Sequence, residues 1–349
     1  AIKKALPDTE FLFIGANGRM EMEKVPAEGY KIIGLPVRGF FRPLWNLKNI
    51  GVLFDLYRSV QKAKKIIEDF KPDVAVGVGG YASAAALEAA HEIGIPYVLQ
   101  EQNGFAGVTN QKLADEAEKI CVAYPNMERF FPKDRIVMTG NPVRQALLEC
   151  TATVEEARAS FGLDTDRPTI FVTGGSLGAR SINESIEAGI KELMDAGVQV
   201  LWQTGKADGT RWSDAVKEFE GSHIHTMVFV TDMAKAYRAA DVVISRSGAG
   251  AVNEICLIGK ASILVPLPTA AEDHQTANAR ALSDKDAAIL IPDKDARHRL
   301  VAEAIALVKD AARIKKMEEN ARTLGIPGAA DTIAKIVIDV ATQNPKTQN

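Results

Sequence analysis

The chain has 349 residues, 46% hydrophobic and 25% charged, which excludes a disordered or fibrous polypeptide and, at ~100–200 residues per domain, predicts two domains. A net charge of −3 excludes bulk nucleic-acid binding, which needs a basic excess against phosphates, so no nucleic-acid partner is expected. Cys121, Cys150 and Cys256 have no CxxC spacing, no signal peptide opens the chain and no apolar run nears the ~18 residues of a membrane span, so the expected place is the cytosol or the cytosolic side of a membrane.

The opening AIKKALPDTEFLFIG reads as the end of an amphipathic helix, a turn at Pro7-Asp8 and a strand, Glu10–Ile14. A helix that starts mid-pattern, at Ala1 and without a capping residue, leads to the expectation that the natural N-terminus lies upstream. Strand-like runs follow at Asp73–Val78, Tyr97–Gln100 and Lys119–Ala123, with helical patterns between several of them. The pattern resets near Gly140-Asn141-Pro142, and the Thr-, Glu-, Arg- and Asp-rich stretch that follows reads as a linker with one helix. A second alternating block comprises Thr169–Thr173, Val198–Gln203, Thr226–Val230, Val242–Ser245, Ser262–Val265 and Ala288–Ile291, with helices over 297–322 and 329–342 after it. Strands alternating with helices predict right-handed βαβ units, parallel sheets and two tandem doubly wound domains facing across a cleft. The expected boundaries are 1–144, a linker 145–167, a second domain 168–325, and a C-terminal helix and tail 326–349 packing back on the first domain.

The sharpest motif is the strand Thr169–Thr173 running into Gly174-Gly175-Ser176-Leu177-Gly178-Ala179-Arg180 and then a helix. Free N–H groups at a helix start, a favourable dipole and glycines that admit a close ligand make an anion site. No GK[ST] follows, which disfavours an ATP-cleaving loop; a tight βα turn with no ligand is the plainer alternative. A second loop of this kind, Arg246-Ser247-Gly248-Ala249-Gly250-Ala251-Val252-Asn253-Glu254, follows Val242–Ser245. Glu254 is placed to accept the hydroxyls of a ribose, or else to favour the helix dipole by ~0.3–1 kcal/mol. Two such loops in one domain point to a nucleotide diphosphate. Glu272-Asp273-His274-Gln275 opens a helix beyond Pro266 and Pro268, where polar groups can bind a sugar or simply cap the helix. In the first half, Val74–Val78 runs into Gly79-Gly80-Tyr81-Ala82-Ser83, and Gln100-Glu101-Gln102-Asn103 follows the strand at Tyr97; Glu101 is a candidate acid/base or hydroxyl ligand.

Gly79-Gly80-Tyr81-x-Ser83, Glu101-Gln102-Asn103, Gly140-Asn141-Pro142-Val143-Arg144, Gly174-Gly175-Ser176-x-Gly178-Ala179-Arg180, Ser245-Arg246-Ser247-Gly248-Ala249 and Asp273-His274-Gln275 occur in this order. Together they closely resemble the MurG family of peptidoglycan N-acetylglucosaminyltransferases, which have the GT-B fold, and the resemblance covers essentially the whole chain. It implies inverting transfer of N-acetylglucosamine (GlcNAc) from UDP-GlcNAc to the 4-hydroxyl of lipid I, giving lipid II, on the cytoplasmic face of the bacterial inner membrane. Other cell-wall synthesis or division proteins are implied as partners. By the same resemblance the second domain holds the donor. The Val230 backbone reads uracil with Met233 nearby, and Glu254 takes the ribose. Ser176 and the 174–179 turn face the diphosphate with Arg144, while Ala249 to Asn253, His274 and Gln275 line the sugar pocket. Asn103 reaches the donor sugar from the first domain, and Gly79, Gly80, Tyr81, Ser83 and Glu101 face the acceptor. A different UDP-sugar transferase or epimerase of the same architecture, or a non-catalytic sugar-nucleotide-binding scaffold, are the competing readings.

Two departures from the family pattern stand out. The family's first glycine loop and its histidine, the usual candidate base, would precede Ala1, so no catalytic base is assigned; Gln100 stands where the family usually has His, which suggests a structural or hydrogen-bonding role there. A first strand is usually central in such a sheet. Losing about five buried apolar residues at ~1.5–3 kcal/mol each rivals a domain stability of ~5–15 kcal/mol, so residues 1–349 alone are expected to be unstable or inactive, although the complete protein is an enzyme.

The three DxD pairs, Asp164/Asp166, Asp284/Asp286 and Asp293/Asp295, read as surface turns, so no cofactor and no obligatory protein-bound metal is expected. Between residues 31 and 65, Lys31, Arg38, Arg42, Lys48, Arg58, Lys62, Lys64 and Lys65 face the single acid Asp55. Phe40, Phe41, Leu44, Trp45 and Leu47, set among Arg38, Arg42 and Lys48, suit an interfacial patch on anionic lipid; core packing of these apolar residues is the alternative.

Overall fold

Residues 1–39, 49–219 and 223–343 are described by the structure, a computed structural model. Two compact units divide the chain, Ala1–Gly140 with Gly328–Asn349, and Asn141–Pro327.

In the second unit, strands β7 (Thr169–Thr173), β8 (Gln199–Gln203), β9 (Ile224–Met227), β10 (Val242–Ser245), β11 (Ala261–Leu264) and β12 (Ile289–Leu290) form one sheet in the order β12-β11-β10-β7-β8-β9. Every pairing is parallel. Each residue of β7, β8, β10 and β11 is buried, as expected where helices cover both faces of a sheet and the strands read as near-continuous apolar runs. Ile170, Val172, Trp202 and Ile244 anchor the core on one face with the helices Arg180–Ala188 and Ala296–Val308. From β7 the chain winds outward through β8 and β9, then returns to β10 and winds the other way. The order therefore reverses between β7 and β10, and such a switch point is where doubly wound sheets bind ligands, beyond the carboxyl ends of the strands.

The first unit contains two parallel sheets. β1 (Leu12–Ala16) pairs with β2 (Lys31–Leu35), and β3 (Ala75–Gly77), β4 (Tyr97–Glu101), β5 (Lys119–Val122) and β6 (Ile136–Met138) pair in sequence order. One apolar cluster serves both sheets: Leu12, Ile14 and Leu35 join Ala75, Ala85, Ala89 and Ile95, with Ala63, Ile66 and Ile67 of the helix Asn49–Phe70. The helix Ala329–Gln343 packs Val337 and Val340 on Val98 and Cys121.

Several elements differ from the sequence reading. The first strand runs over Leu12–Ala16 rather than Glu10–Ile14. β2 and β6 were not foreseen: KIIGL lacks alternation, and β6 has only three residues beside a short 3-10 turn. The strand expected at Thr226–Val230 ends at Met227. The helix expected over 297–322 is two, Ala296–Val308 and Ala311–Leu324, because the Asp310 side chain accepts from the Arg313 N–H and starts the second. The stretch 145–167 is no free linker but part of the second unit, where the helices Gln145–Leu148 and Val154–Ser160 pack on the helix Met233–Ala239. Arg158 ties it down by donating to Ala239 O (3.0 Å) and Asp241 Oδ2 (2.8 Å).

Candidate functional site

At the switch point two helices begin without a side-chain cap, Arg180–Ala188 after β7 and Ala249–Ile258 after β10. Their first-turn N–H groups and positive dipole ends are suited to anionic oxygens. Between β7 and its helix, Gly175 and Gly178 lie at φ +81° and +89°, and Ser176 and Leu177 are exposed.

This loop is braced from below by the segment after β8. Lys206 N donates to Ser176 O and Ala207 N to Leu177 O (both 3.2 Å). A Cβ on Gly178 would stand 2.3 Å from Thr204 O, and one on Gly205 would stand 2.1 Å from Gly178 N. Only two glycines permit that approach. Asn183 holds the same corner, donating to Thr204 O (2.8 Å) while its Oδ1 accepts from Trp202 Nε1 (3.0 Å).

The loop after β10 is tied to three neighbours. Arg246 pairs with Asp293, donates to Val265 O and Pro266 O (both 3.2 Å) and reaches Ser181 Oγ at 3.0 Å. Ser247 Oγ donates to Gln275 O (2.8 Å), and Asn278 Nδ2 to Ser247 O (3.1 Å). The start of the helix His274–Ser283 is thus brought against the 246–250 loop. Gln275 Oε1 accepts from Leu267 N (3.0 Å), His274 Nδ1 lies 2.7 Å from Ala271 O, and Asn253 Nδ2 donates to Ala249 O (2.8 Å).

Glu254 is 9% exposed, and its Oε2 accepts from Tyr237 Oη at 3.0 Å. Burial raises the Glu254 carboxyl above its usual range, while the Tyr237 hydrogen bond and the Arg144 charge pull it down. Tyr237 is itself pushed well above the usual phenol value by burial and by Glu254. Its ring stacks edge-on against Phe171 with centroids 5.7 Å apart.

In the first unit the helix Gly80–Ile93 also starts without a side-chain cap, after Gly79 and Gly80 at φ +88° and +85°. Ser83 Oγ on this helix and Asn110 Oδ1 beside it are buried and have no hydrogen-bond partner among the described residues. Glu101 is 2% exposed and accepts from Asn103 N (3.0 Å), Asn103 Nδ2 (3.3 Å), Gly107 N (3.0 Å) and Asn110 Nδ2 (2.8 Å). Four donors on one buried carboxylate make it the anchor of the 102–110 loop. Gln100 is 5% exposed and pairs with Gln102, in keeping with a structural role.

Three comparisons with known proteins bear on this geometry. The Glycosyltransferase family 28 N-terminal domain matches residues 1–122, and the Glycosyltransferase family 28 C-terminal domain matches residues 169–333. The UDP-N-acetylglucosamine–N-acetylmuramyl-(pentapeptide) pyrophosphoryl-undecaprenol N-acetylglucosamine transferase of Parabacteroides distasonis is 51% identical over 338 residues, covering 97% of this chain and 92% of that protein. Its counterpart in Bacteroides fragilis is 50% identical over 347 residues, covering 99% and 91%. The chain belongs to the MurG family. A crystal structure of Acinetobacter baumannii MurG superposes with a TM-score of 0.76 at 28% identity, covering 97% of this chain and 94% of that one. A UDP-GlcNAc 2-epimerase from Neisseria meningitidis shares the fold alone, at 16% identity and a TM-score of 0.61. The fold is accordingly the two-domain GT-B α/β architecture.

Within this MurG-family frame, the structure brings Gly174–Ala179, Ala249–Glu254, Val230, Arg144 and His274-Gln275 together in the second unit, and Gly79–Ser83, Glu101 and Asn103 in the first. Of the patch read from sequence, Arg38 pairs with Asp55, whereas Phe40, Phe41, Arg42, Leu44, Trp45, Leu47 and Lys48 lie outside the described residues. Sequence reasoning passed over Gln203, Gly205 and Tyr237, and also an apolar face on the helix Asn49–Phe70. Ile50, Leu53, Phe54 and Tyr57 are 56–67% exposed there. Their i, i+3, i+4, i+7 spacing was the available signal, and Arg58 stands over the Phe54 ring at 5.8 Å. Among the described residues no group of three or more His, Cys, Asp or Glu is placed to hold a metal, and no helix is long and apolar enough to cross a membrane.

Proposed function

We propose that the protein transfers GlcNAc from UDP-GlcNAc to N-acetylmuramyl-(pentapeptide) pyrophosphoryl-undecaprenol, the peptidoglycan step that makes lipid II. The observation that carries this reading is a pair of uncapped helix starts at the switch point of a chain half identical, over nearly its whole length, to transferases named for that reaction. The second unit takes the donor. Glu254 receives the ribose hydroxyls, the carbonyl of Val230 receives uracil N3–H, and the two loops receive the diphosphate. Backbone N–H groups fixed before the reaction stabilise charge on departing UDP without reorganisation at the moment of bond breaking, which is where such groups lower a barrier most. The first unit takes the acceptor at the helix start Gly79–Ser83, where, among the described residues, Ser83 Oγ and Asn110 Oδ1 have no partner. The sugar of the product is attached with inversion at its anomeric carbon, through the acceptor 4-hydroxyl.

Incubation of the complete protein with radiolabelled UDP-GlcNAc and a lipid I analogue should yield the disaccharide product together with UDP. Release of an epimerised UDP-sugar without transfer, or binding without turnover, would replace this reading by the epimerase or the scaffold.

An acceptor carried on undecaprenol brings the protein to a bilayer, at the cytoplasmic face where the UDP-sugar donor is found. The exposed stripe Ile50, Leu53, Phe54 and Tyr57, with exposed Arg58, Lys62 and Lys65 on the same helix, suits insertion at an anionic interface. Substituting Leu53→Glu together with Phe54→Glu should weaken sedimentation with anionic vesicles by roughly 30–100-fold, equivalent to about 2–3 kcal/mol. Turnover of a water-soluble acceptor analogue should be retained. Unchanged vesicle binding would remove this helix from the membrane contact.

A further inference from the structure

Gln203 ends β8, between Thr173 of β7 and Met227 of β9, and is 2% exposed. Its side-chain amide ties the end of β7 to two loops of the candidate donor site. Nε2 donates to Thr173 Oγ1 (3.0 Å) and to the carbonyl of Gly175 (3.1 Å), while Oε1 accepts the N–H of Val230 (2.9 Å). Val230 is fully buried beyond the end of β9. Its N–H would be left without an acceptor if that bond were lost, a costly state inside a protein.

We infer that Gln203 is the positioning residue that locks the base-reading turn at Val230 to the diphosphate loop at Gly175, so that one amide sets both the pyrimidine preference and the grip on phosphate for a uridine diphosphate ligand. The inference rests on the assignment of Val230 and Gly174–Ala179 given under Proposed function. Its chemistry is directional. With the Val230 N–H held by Oε1, the turn offers the base a carbonyl acceptor. Uracil carries a hydrogen on N3 and can donate to it; cytosine carries a lone pair there and is repelled. On the other side, Nε2 joins Gly178 N (3.2 Å) on the Gly175 carbonyl, and its second acceptor, Thr173 Oγ1, takes Gly175 N (3.3 Å), so the amide braces a left-handed residue (φ +81°) that has no side chain of its own. No other side chain is bonded to both turns among the described residues.

Calorimetric titration of the full chain with UDP, CDP and uridine separates the two ties. Wild-type protein should bind UDP at least ten times more tightly than CDP. Gln203→Met keeps the volume but can neither donate nor accept through an amide; UDP affinity should fall about 10–100-fold and the UDP:CDP preference should shrink toward one. Gln203→Glu retains an oxygen for Val230 N–H but cannot donate to Gly175 O when ionised. It should keep the preference for uracil while losing more affinity for UDP than for uridine. Turnover at saturating donor should also fall in both variants, because the loop held at Gly175 offers the N–H groups that meet charge on departing UDP. A wild-type preference that survives Gln203→Met, or equal losses for UDP, CDP and uridine in both variants, overturns the inference alone. A wild-type protein that binds CDP as tightly as UDP removes the Val230 assignment and this inference with it. If Gln203→Met does not fold, Gln203→Glu decides: undiminished UDP affinity in that variant overturns the inference.

Discussion

Replacing Gly178 by alanine should lower UDP affinity at least ~100-fold and reduce the unfolding free energy by about 2–4 kcal/mol, whereas Gly175→Ala should cost only about 1–2 kcal/mol. Both residues hold a left-handed backbone, so both substitutions carry that strain. Gly178 carries a second burden, because its new Cβ would meet the Thr204 carbonyl at 2.3 Å, and a backbone atom cannot rotate aside. Gly175 has nothing within 4 Å of the same position. Relief at Gly178 would require the 176–178 loop to lift off the 204–207 segment, breaking the bonds from Lys206 and Ala207 and shifting the N–H groups offered to the diphosphate. Calorimetry with UDP and chemical denaturation of the two variants side by side measure the difference. Equal effects would show that the brace contributes nothing beyond backbone strain.

Glu254→Gln should weaken donor binding by roughly 10–150-fold, the equivalent of about 1.5–3 kcal/mol for hydrogen bonds to a charged group, with little change in turnover at saturation. The same substitution should make the ligand-free protein more stable. The folded-state carboxyl titrates above its ordinary value of 4.5, burial being the largest cause. The folded protein therefore holds this proton more tightly than the unfolded chain. Stability attributable to Glu254 is lost as pH rises from the unfolded pKa through the folded one, and the charge penalty is fully present above both. Ribose hydroxyls donate to the ionised form, so UDP affinity should rise with pH across that window and binding should release a proton. Titrations within that window in buffers of different ionisation heat would detect the release. In Glu254→Gln both the pH limb and the proton release should vanish; their persistence would assign them to another group. Tyr237→Phe should retain the limb but move it to higher pH, because the phenol donates to the charged carboxylate.

The strands of the second unit were legible because they are short apolar runs, four of them buried throughout and β7 and β10 leading into glycine loops, and parallel order followed from their alternation with helices. Glu254 was legible through its place after a small-residue loop. The partners that hold these groups were not. Gln203 and Gly205 act on a loop some thirty positions earlier in the chain, and nothing local in WQTGK marks such contacts. Glu101 shows the converse. A loop carboxylate after a strand has the same local pattern whether it serves protons or four internal donors, and only the fold reveals the donors. The stripe Ile50-Leu53-Phe54-Tyr57 has the spacing of a core-facing helix side, yet Val52, Ala63, Ile66 and Ile67 fill that role and the stripe faces outward. Periodicity locates an apolar face without saying what covers it.

The last helix of the chain bears on the order in which the protein can be completed. Ala329–Gln343 follows the whole second unit in sequence, yet it packs Val337 and Val340 on Val98 and Cys121 of the first. The first unit therefore closes only after the second has been synthesised. A truncation after Pro327 should accordingly damage the acceptor-side unit rather than the donor-side unit that the helix adjoins in sequence.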